Sequence, residues 1–370
     1  MPIDGYKEDI EQGKRRAEAW WNHEIIDRVA IQVTAPRKPF VPETNQTGAT
    51  KERDAAALRE YFTDPEEVIP RLQARLANTY FGGEAFPVMY PVSINMVAIL
   101  SNYLGCPMRF VNETTTWSEH ILDDWEQRPA YRYDPSNEWW LISERLLTAG
   151  VERSDGYYVG VPDLNGPTEM LSRLRSPQNL ALDLYDQPQY IKPALVEINR
   201  VWYDYWRACT DITQRLGGNF HWMGIWSDKP STDLQSDFSC MMSPQMFDEY
   251  FLPFLDEQTQ MVERTVYHLD GPGAVVHLDS LLRLPDLDGI QWVPGAGAKP
   301  TVEWIPLLRK IQDAGKLVYA YCDKANVRTL LQELRPEGLM LVVSCDSVDE
   351  ADQLLENVQA WTRQHKQRAT

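Results

Sequence analysis

From residue 157 onward the chain repeats one alternation, a short run of β-branched or aromatic residues followed by a longer stretch with helical spacing. The runs at 157–162, 220–225, 265–269, 289–293, 317–321 and 339–344 read as strands. The stretches at 188–216, 244–263, 301–314 and 324–334 place apolar residues three and four apart, as an amphipathic helix does. Strands separated by helices call for crossover connections, and hence for a parallel sheet. Two further short runs, at 29–34 and 234–238, raise the number of strands to eight, so the fold expected is α/β, a (β/α)8 TIM barrel. A doubly wound sheet satisfies the same alternation and is the alternative.

Residues 1–150 lack clean alternation. A helix is expected over 7–23 and a Pro-, Thr- and Asn-rich loop over 37–45, followed by helical pieces and aromatic-rich irregular stretches near 81–84 and 112–125. The expected organisation is therefore an elaborated N-terminal region, 1–150, helical and irregular, packed on the barrel and contributing its first strand. Residues 151–370 supply the main part of the barrel.

The 54 Asp and Glu against 36 Lys and Arg leave a net charge of −18, which repels phosphate backbones and anionic lipid and argues against nucleic acid and membrane as partners. No apolar run approaches the roughly 20 residues of a membrane helix, and the first 16 residues have no signal-peptide core, so a cytoplasmic location is expected. Five cysteines, Cys106, Cys209, Cys240, Cys322 and Cys345, are odd in number and widely spaced, which suits reduced thiols, one of them a possible metal ligand. The 13 Trp and 17 Tyr, with pairs at Trp20-Trp21 and Trp139-Trp140, serve either core packing or a pocket for a large organic group.

Active sites of parallel α/β folds lie at the C-terminal ends of the strands, and here those ends are polar. Asp163 and Asn165 follow one strand, Asp237, Ser239 and Cys240 another, and Gln291-Trp292 and Ser344-Cys345-Asp346 close two more. The sharpest grouping is His268, Asp270 and Cys345. Residues two apart on a strand share a face, so His268 and Asp270 can address one point, and Cys345 lies 75 residues further on. An imidazole, a carboxylate and a thiolate would give zinc three ligands and leave a fourth position open. The bland reading of the same residues is a strand histidine, an Asp capping the Gly271-Pro272-Gly273 turn and a small buried thiol. Asp237, like Asp270, is a candidate catalytic carboxylate. Asn165, Asp163, Trp226, Gln291, Trp292 and Glu84 are candidate substrate contacts. His221 and His277 are expected to be packed or exposed rather than catalytic. No Gly-x-Ser-x-Gly elbow and no nucleotide fingerprint occurs.

The stretch Ser243-Pro244-Gln245-Met246-Phe247-Asp248-Glu249-Tyr250 after Asp237, then Tyr267-His268-Leu269-Asp270-Gly271, then Leu287-Asp288-Gly289-Ile290-Gln291-Trp292, resembles the uroporphyrinogen decarboxylase superfamily. Asn165-Gly166-Pro167 and Leu182-Asp183-Leu184-Tyr185-Asp186 add to the likeness, which spans roughly residues 157 to 360 and is greatest to the branch of cobalamin-associated methyltransferases. The resemblance implies a (β/α)8 barrel and, in the zinc enzymes of that branch, a metal held by His-x-Cys and a distant Cys that activates a substrate thiol. His268 and Cys345 fall on the outer two positions, and Asp270 stands where the pattern has Cys. A carboxylate there donates less electron density than a thiolate and makes the metal a harder Lewis acid. The chain lacks the Arg-rich N-terminal motif of the true decarboxylases.

The function expected is thus a zinc-dependent methyltransferase. It would move a methyl group between a corrinoid carried by a separate protein and a small-molecule methyl donor or acceptor. The alternatives are a metal-free lyase or decarboxylase using Asp237 or Asp270, and a non-catalytic protein binding a tetrapyrrole or other large ligand.

Overall fold

A computed structural model describes residues 5–38, 53–96 and 98–369, the side chains only as far as 364; most of the loop expected at 37–45 lies outside the described residues. Eleven strands are formed among these residues: β1 (Ala30–Pro36), β2 (Thr79–Gly83), β3 (Val88–Met89), β4 (Met108–Asn112), β5 (Thr115–Ser118), β6 (Tyr158–Val159), β7 (Ser231–Gln235), β8 (Arg264–Asp270), β9 (Gly289–Val293), β10 (Leu317–Tyr321) and β11 (Leu339–Ser344). Seven of them form one sheet in the order β2-β1-β11-β10-β9-β8-β7. Its ladders are parallel except for β1 with β2. β3 and β6 pair parallel in a second, small sheet, and β4 and β5 form a hairpin. Helices fill the connections between the parallel strands, as the alternation requires. Among the described residues no ladder joins β6 to β7 or β3 to β1, so the hydrogen bonding does not run round a closed ring.

Three expected strands differ, the run at 157–162 keeping only Tyr158–Val159 as strand. The run at 220–225 is irregular chain whose ends are tied by a single antiparallel bridge, Asn219 to Ser227. Gly224 turns there with φ +70°, which a strand does not accommodate. The run expected at 234–238 begins earlier, at Ser231, and ends at Gln235, after which Asp237–Met241 winds into a 3-10 turn.

The alternation of side chains along each strand separates two layers of core. Tyr267 and Leu269, Ile290 and Trp292, and Leu339, Leu341 and Val343 face the helices, in a core shared with the N-terminal region. Val266, Tyr319 and Met340 face the other way and meet Trp20 and Trp21, from the helix Ile10–Trp21, in a smaller cluster. Trp20 Nε1 donates to the Gly338 carbonyl at 3.0 Å, just ahead of β11, and Trp21 Nε1 to that of Trp226 at 3.0 Å. This Trp pair therefore seals the inner face at the N-terminal ends of the strands as core packing. Trp140 likewise packs with Tyr103, Tyr133 and Tyr205. The longest helix of the C-terminal part, Pro188–Thr213, starts on a proline that needs no N–H partner there. It buries Ile191, Leu195, Ile198, Trp202, Tyr205 and Cys209 along one stripe.

Candidate metal centre

Register places the polar residues. His268 is paired with Gln235 of β7 on one side and Gln291 of β9 on the other, and Gln291 in turn with Tyr319 of β10. Paired residues of parallel strands share a face, so these four form one row on the inner side of the sheet. One step nearer the C-terminal ends stand Asp270 and Tyr321, and Asp237 follows β7 directly. The ligand atoms of Asp237, His268 and Asp270 all lie within 4.8 Å of one another.

His268 is held in one orientation. Its Nδ1 meets Gln291 Oε1, an oxygen that can only accept, so Nδ1 is the donating nitrogen and Nε2 is the one left for another partner. The Trp222 ring packs edge-on against the imidazole, centroids 5.2 Å apart. Asp163, after β6, gathers three donors on Oδ1: Gln235 Nε2 at 2.6 Å, the Asn165 amide at 2.9 Å and Asn165 Nδ2 at 3.1 Å. This joins the end of β6 to β7 where no ladder does. Gly166 is required at the same junction, because a Cβ there would fall 2.1 Å from the Gln235 carbonyl oxygen.

Two side chains fix the turn that carries Asp237. Glu169 accepts from the Phe238 amide at 3.0 Å and from Arg173 Nε at 3.1 Å. His277 Nε2 contacts the Ser239 carbonyl at 2.9 Å, with its ring stacked on Phe247. His277 is packed, as its position suggested.

The electrostatics are those of crowded carboxyl groups. Burial pushes Asp237 above the usual carboxylate range; His268 opposes the push and the Asp270 charge adds to it. Burial also raises Asp163, and it raises Asp233 well above its ordinary value, with the Asp163 charge adding. Beside Asp233, at 3.7 Å, the wholly buried His221 ring is pushed down to about 3 by burial and is neutral at pH 7.

Four expected site residues lie elsewhere. Cys345 is buried on the helix-facing side of the sheet with Val343 and Leu341, three strands away from β8, and takes no part in the group around His268. The alternation that sends Met340 inward turns odd-numbered residues out, and Cys345 continues that odd series. Trp292 also faces the helices, packed on Trp304. Trp226 belongs to a cluster with Ile10, Phe86 and Phe220, near the N-terminal helix. Glu84 is buried in a two-point pair with Arg28, at 2.8 and 2.9 Å, and accepts from the Ile31 amide at 2.7 Å, so it anchors the edge of the sheet. Asp163, Asn165 and Gln291 do border the group.

Asp233, Gln235, Glu169 and Trp222 were not expected here. Placing the strand at 231–235 would have put Asp233 and Gln235 on the face of Asp237. Glu169 and Trp222 carry no such local signal, because helix 167–175 and the irregular chain at 220–225 bring them in.

Over most of its length the chain is similar in structure to a methyltransferase from Methanosarcina mazei. The TM-score is 0.62 at 14% sequence identity, and the match covers 94% of this chain and 98% of that one. No family model matches the chain, and no curated protein does. The likeness is one of fold, reached with little shared sequence. Among the described residues no helix is long and apolar enough to cross a membrane.

Proposed function

We propose that the chain is a metal-dependent methyltransferase whose reaction centre is formed by Asp237, His268 and Asp270. The observation that carries the proposal is the convergence of an oriented imidazole and two carboxylates at the C-terminal ends of β7 and β8, in a chain whose fold resembles a methyltransferase. The eight parallel strands β1, β3 and β6–β11 are read as the strands of a (β/α)8 barrel.

The donor set fits zinc or a comparable first-row divalent ion. The nitrogen of His268 not engaged by Gln291 and one oxygen from each carboxylate would be the three ligands, the three residues offering ligand atoms within 4.8 Å of one another. Gln291 fixes the tautomer and the ring plane, which is the usual service of an outer hydrogen bond to a ligating histidine. A bound divalent ion supplies Lewis acidity, lowering the pKa of a substrate group that enters the open position. Glu169 and His277 hold the 237–241 turn so that Asp237 meets the other two ligands. We place Asp163 and Asn165 as substrate-orienting groups beside the metal.

The methyl group is read as passing between a corrinoid on a separate protein and a small substrate. The test is to add zinc-loaded protein to methylcob(III)alamin with a panel of thiols and amines and to follow the visible spectrum of the corrinoid. Protein-dependent demethylation that disappears in His268→Ala is expected. Demethylation at the same rate in His268→Ala would overturn the assignment.

A further inference from the structure

The chain that follows β3 borders a cavity of about 210 Å³, with Tyr61, Arg71, Arg75, Tyr90, Ser93 and Asn95 in its wall. That volume lies below the roughly 300–1,000 Å³ of a site for a drug-sized ligand, so an occupant is a small molecule. Arg71 and Arg75 stand four apart on the helix Pro65–Ala77, and one face of that helix brings both to the cavity. Asp237, His268 and Asp270 belong to a separate group and take no part in the wall.

The charges in this wall do not balance. The half-buried Arg71 lays its guanidinium on the Tyr61 ring, 3.5 Å from the centroid, and gives one N–H to the Tyr61 carbonyl at 2.9 Å. Its other donors find no acceptor and no acid within 4 Å among the described residues. Burial pulls the Arg71 pKa below its ordinary value, and Tyr61, Glu67 and Glu113 oppose this without overcoming it. A guanidinium nonetheless stays charged at pH 7. Arg75 is exposed and its side chain has no partner among the described residues. The wall also holds one carboxylate, Glu113, and Arg53 neutralises it at 2.6 Å.

In a chain with 54 acidic residues against 36 basic ones, two guanidiniums at one cavity remain without an acid partner. We infer that this cavity is a second binding site, for a small oxyanion, a carboxylate or phosphate group on a compact body, held by Arg71 and Arg75. The guanidinium edge matches either head group with two parallel N–H donors, and stacking on Tyr61 fixes the plane of the Arg71 fork before the anion arrives. The local field is positive although the chain as a whole is acidic. The inference is independent of the methyltransferase assignment.

Isothermal titration calorimetry on the full-length chain tests it, with phosphate, benzoate and benzylammonium as probes. The titrations are run in the wild type and in His268→Ala, because an anion can also ligate a metal held by Asp237, His268 and Asp270, and that route goes with the histidine. Saturable binding of phosphate or benzoate is expected in both proteins, the tighter of the two naming the head group, with no measurable heat from benzylammonium. Arg71→Gln is expected to weaken the binding about tenfold or more, as loss of a charged hydrogen bond does. Arg75→Gln disturbs no contact within the protein and should weaken it about 2- to 5-fold, the range of an exposed pair. It keeps the test valid if Arg71→Gln fails to fold for want of its Tyr61 contacts. No saturable anion binding in His268→Ala, anion affinity unchanged by the arginine substitutions, or benzylammonium binding as tightly as the anions overturns the inference.

Discussion

Replacing Glu84 by Ala is expected to destabilise the protein while leaving its metal site untouched. Glu84 is 1% exposed and Arg28 5% exposed, and they share two hydrogen bonds, so the substitution strands a guanidinium in the interior. It also orphans the Ile31 amide, which donates to Glu84 Oε2. Breaking one partner of a buried pair costs about 3–5 kcal/mol, because the surviving charge keeps its desolvation penalty and loses its compensation. An unfolding entropy of about 2.1 cal/mol/K per residue gives about 0.8 kcal/mol/K for 370 residues. A loss of about 4 kcal/mol then lowers Tm by about 5 °C. The double variant Arg28→Met/Glu84→Gln removes both charges but keeps an acceptor for the Ile31 amide, and is expected to recover part of the loss, since the stranded guanidinium is gone. Thermal melts followed by circular dichroism, with zinc retention measured on the same samples, read both quantities. A Glu84→Ala protein that melts with the wild type but no longer retains metal would refute the reasoning and return Glu84 to the reaction site.

Three further outcomes are expected. Gln291→Leu keeps the strand but frees the His268 ring, and metal affinity should fall roughly 10- to 100-fold, read by competition with a chelating dye. Gly166→Ala forces a Cβ against the Gln235 carbonyl at 2.1 Å and should destabilise by about 1–3 kcal/mol in urea unfolding; wild-type stability would mean that the junction of β6 and β7 is looser than described. His221, held neutral with its pKa pushed down to about 3, binds a proton in the unfolded chain below about pH 6.5 but not in the native one. Its contribution is therefore full above that value and lost as pH falls toward 3, at up to about 1.4 kcal/mol per pH unit. Asp163 and Asp233, raised by burial, act in the opposite sense, so the informative quantity is the difference between wild type and His221→Phe at pH 7 and pH 4.5. The variant should lose less stability on acidification, and equal losses would show that His221 does not titrate in this way.

The alternation of strand and helix was legible because each element announces itself locally. Strand β9, Gly289–Val293, coincides with its expected bounds, and β10 and β11 do too. The pairing of His268 with Asp270 was legible for the same reason, since period two is a property of one strand. What lay beyond local pattern was the joining of elements. Cys345 reads as a ligand only if its strand presents it inward, and one residue of parity turns it to the helices. Glu84 read as a substrate contact beside two glycines because its partner Arg28 is 56 residues away. Glu169 and Trp222 reach the site through tertiary packing, for which neither residue carries a sequence pattern.

The central claim is that Asp237, His268 and Asp270 hold one metal ion and that Cys345 does not contribute. Metal content by mass spectrometry, after zinc loading and exhaustive dialysis, tests it in the wild type and in Asp237→Ala, His268→Ala, Asp270→Ala and Cys345→Ala. The account predicts close to one zinc per chain in the wild type and in Cys345→Ala, and loss of most of it in each of the other three. Zinc retained by His268→Ala, or lost from Cys345→Ala with the fold intact, would contradict it.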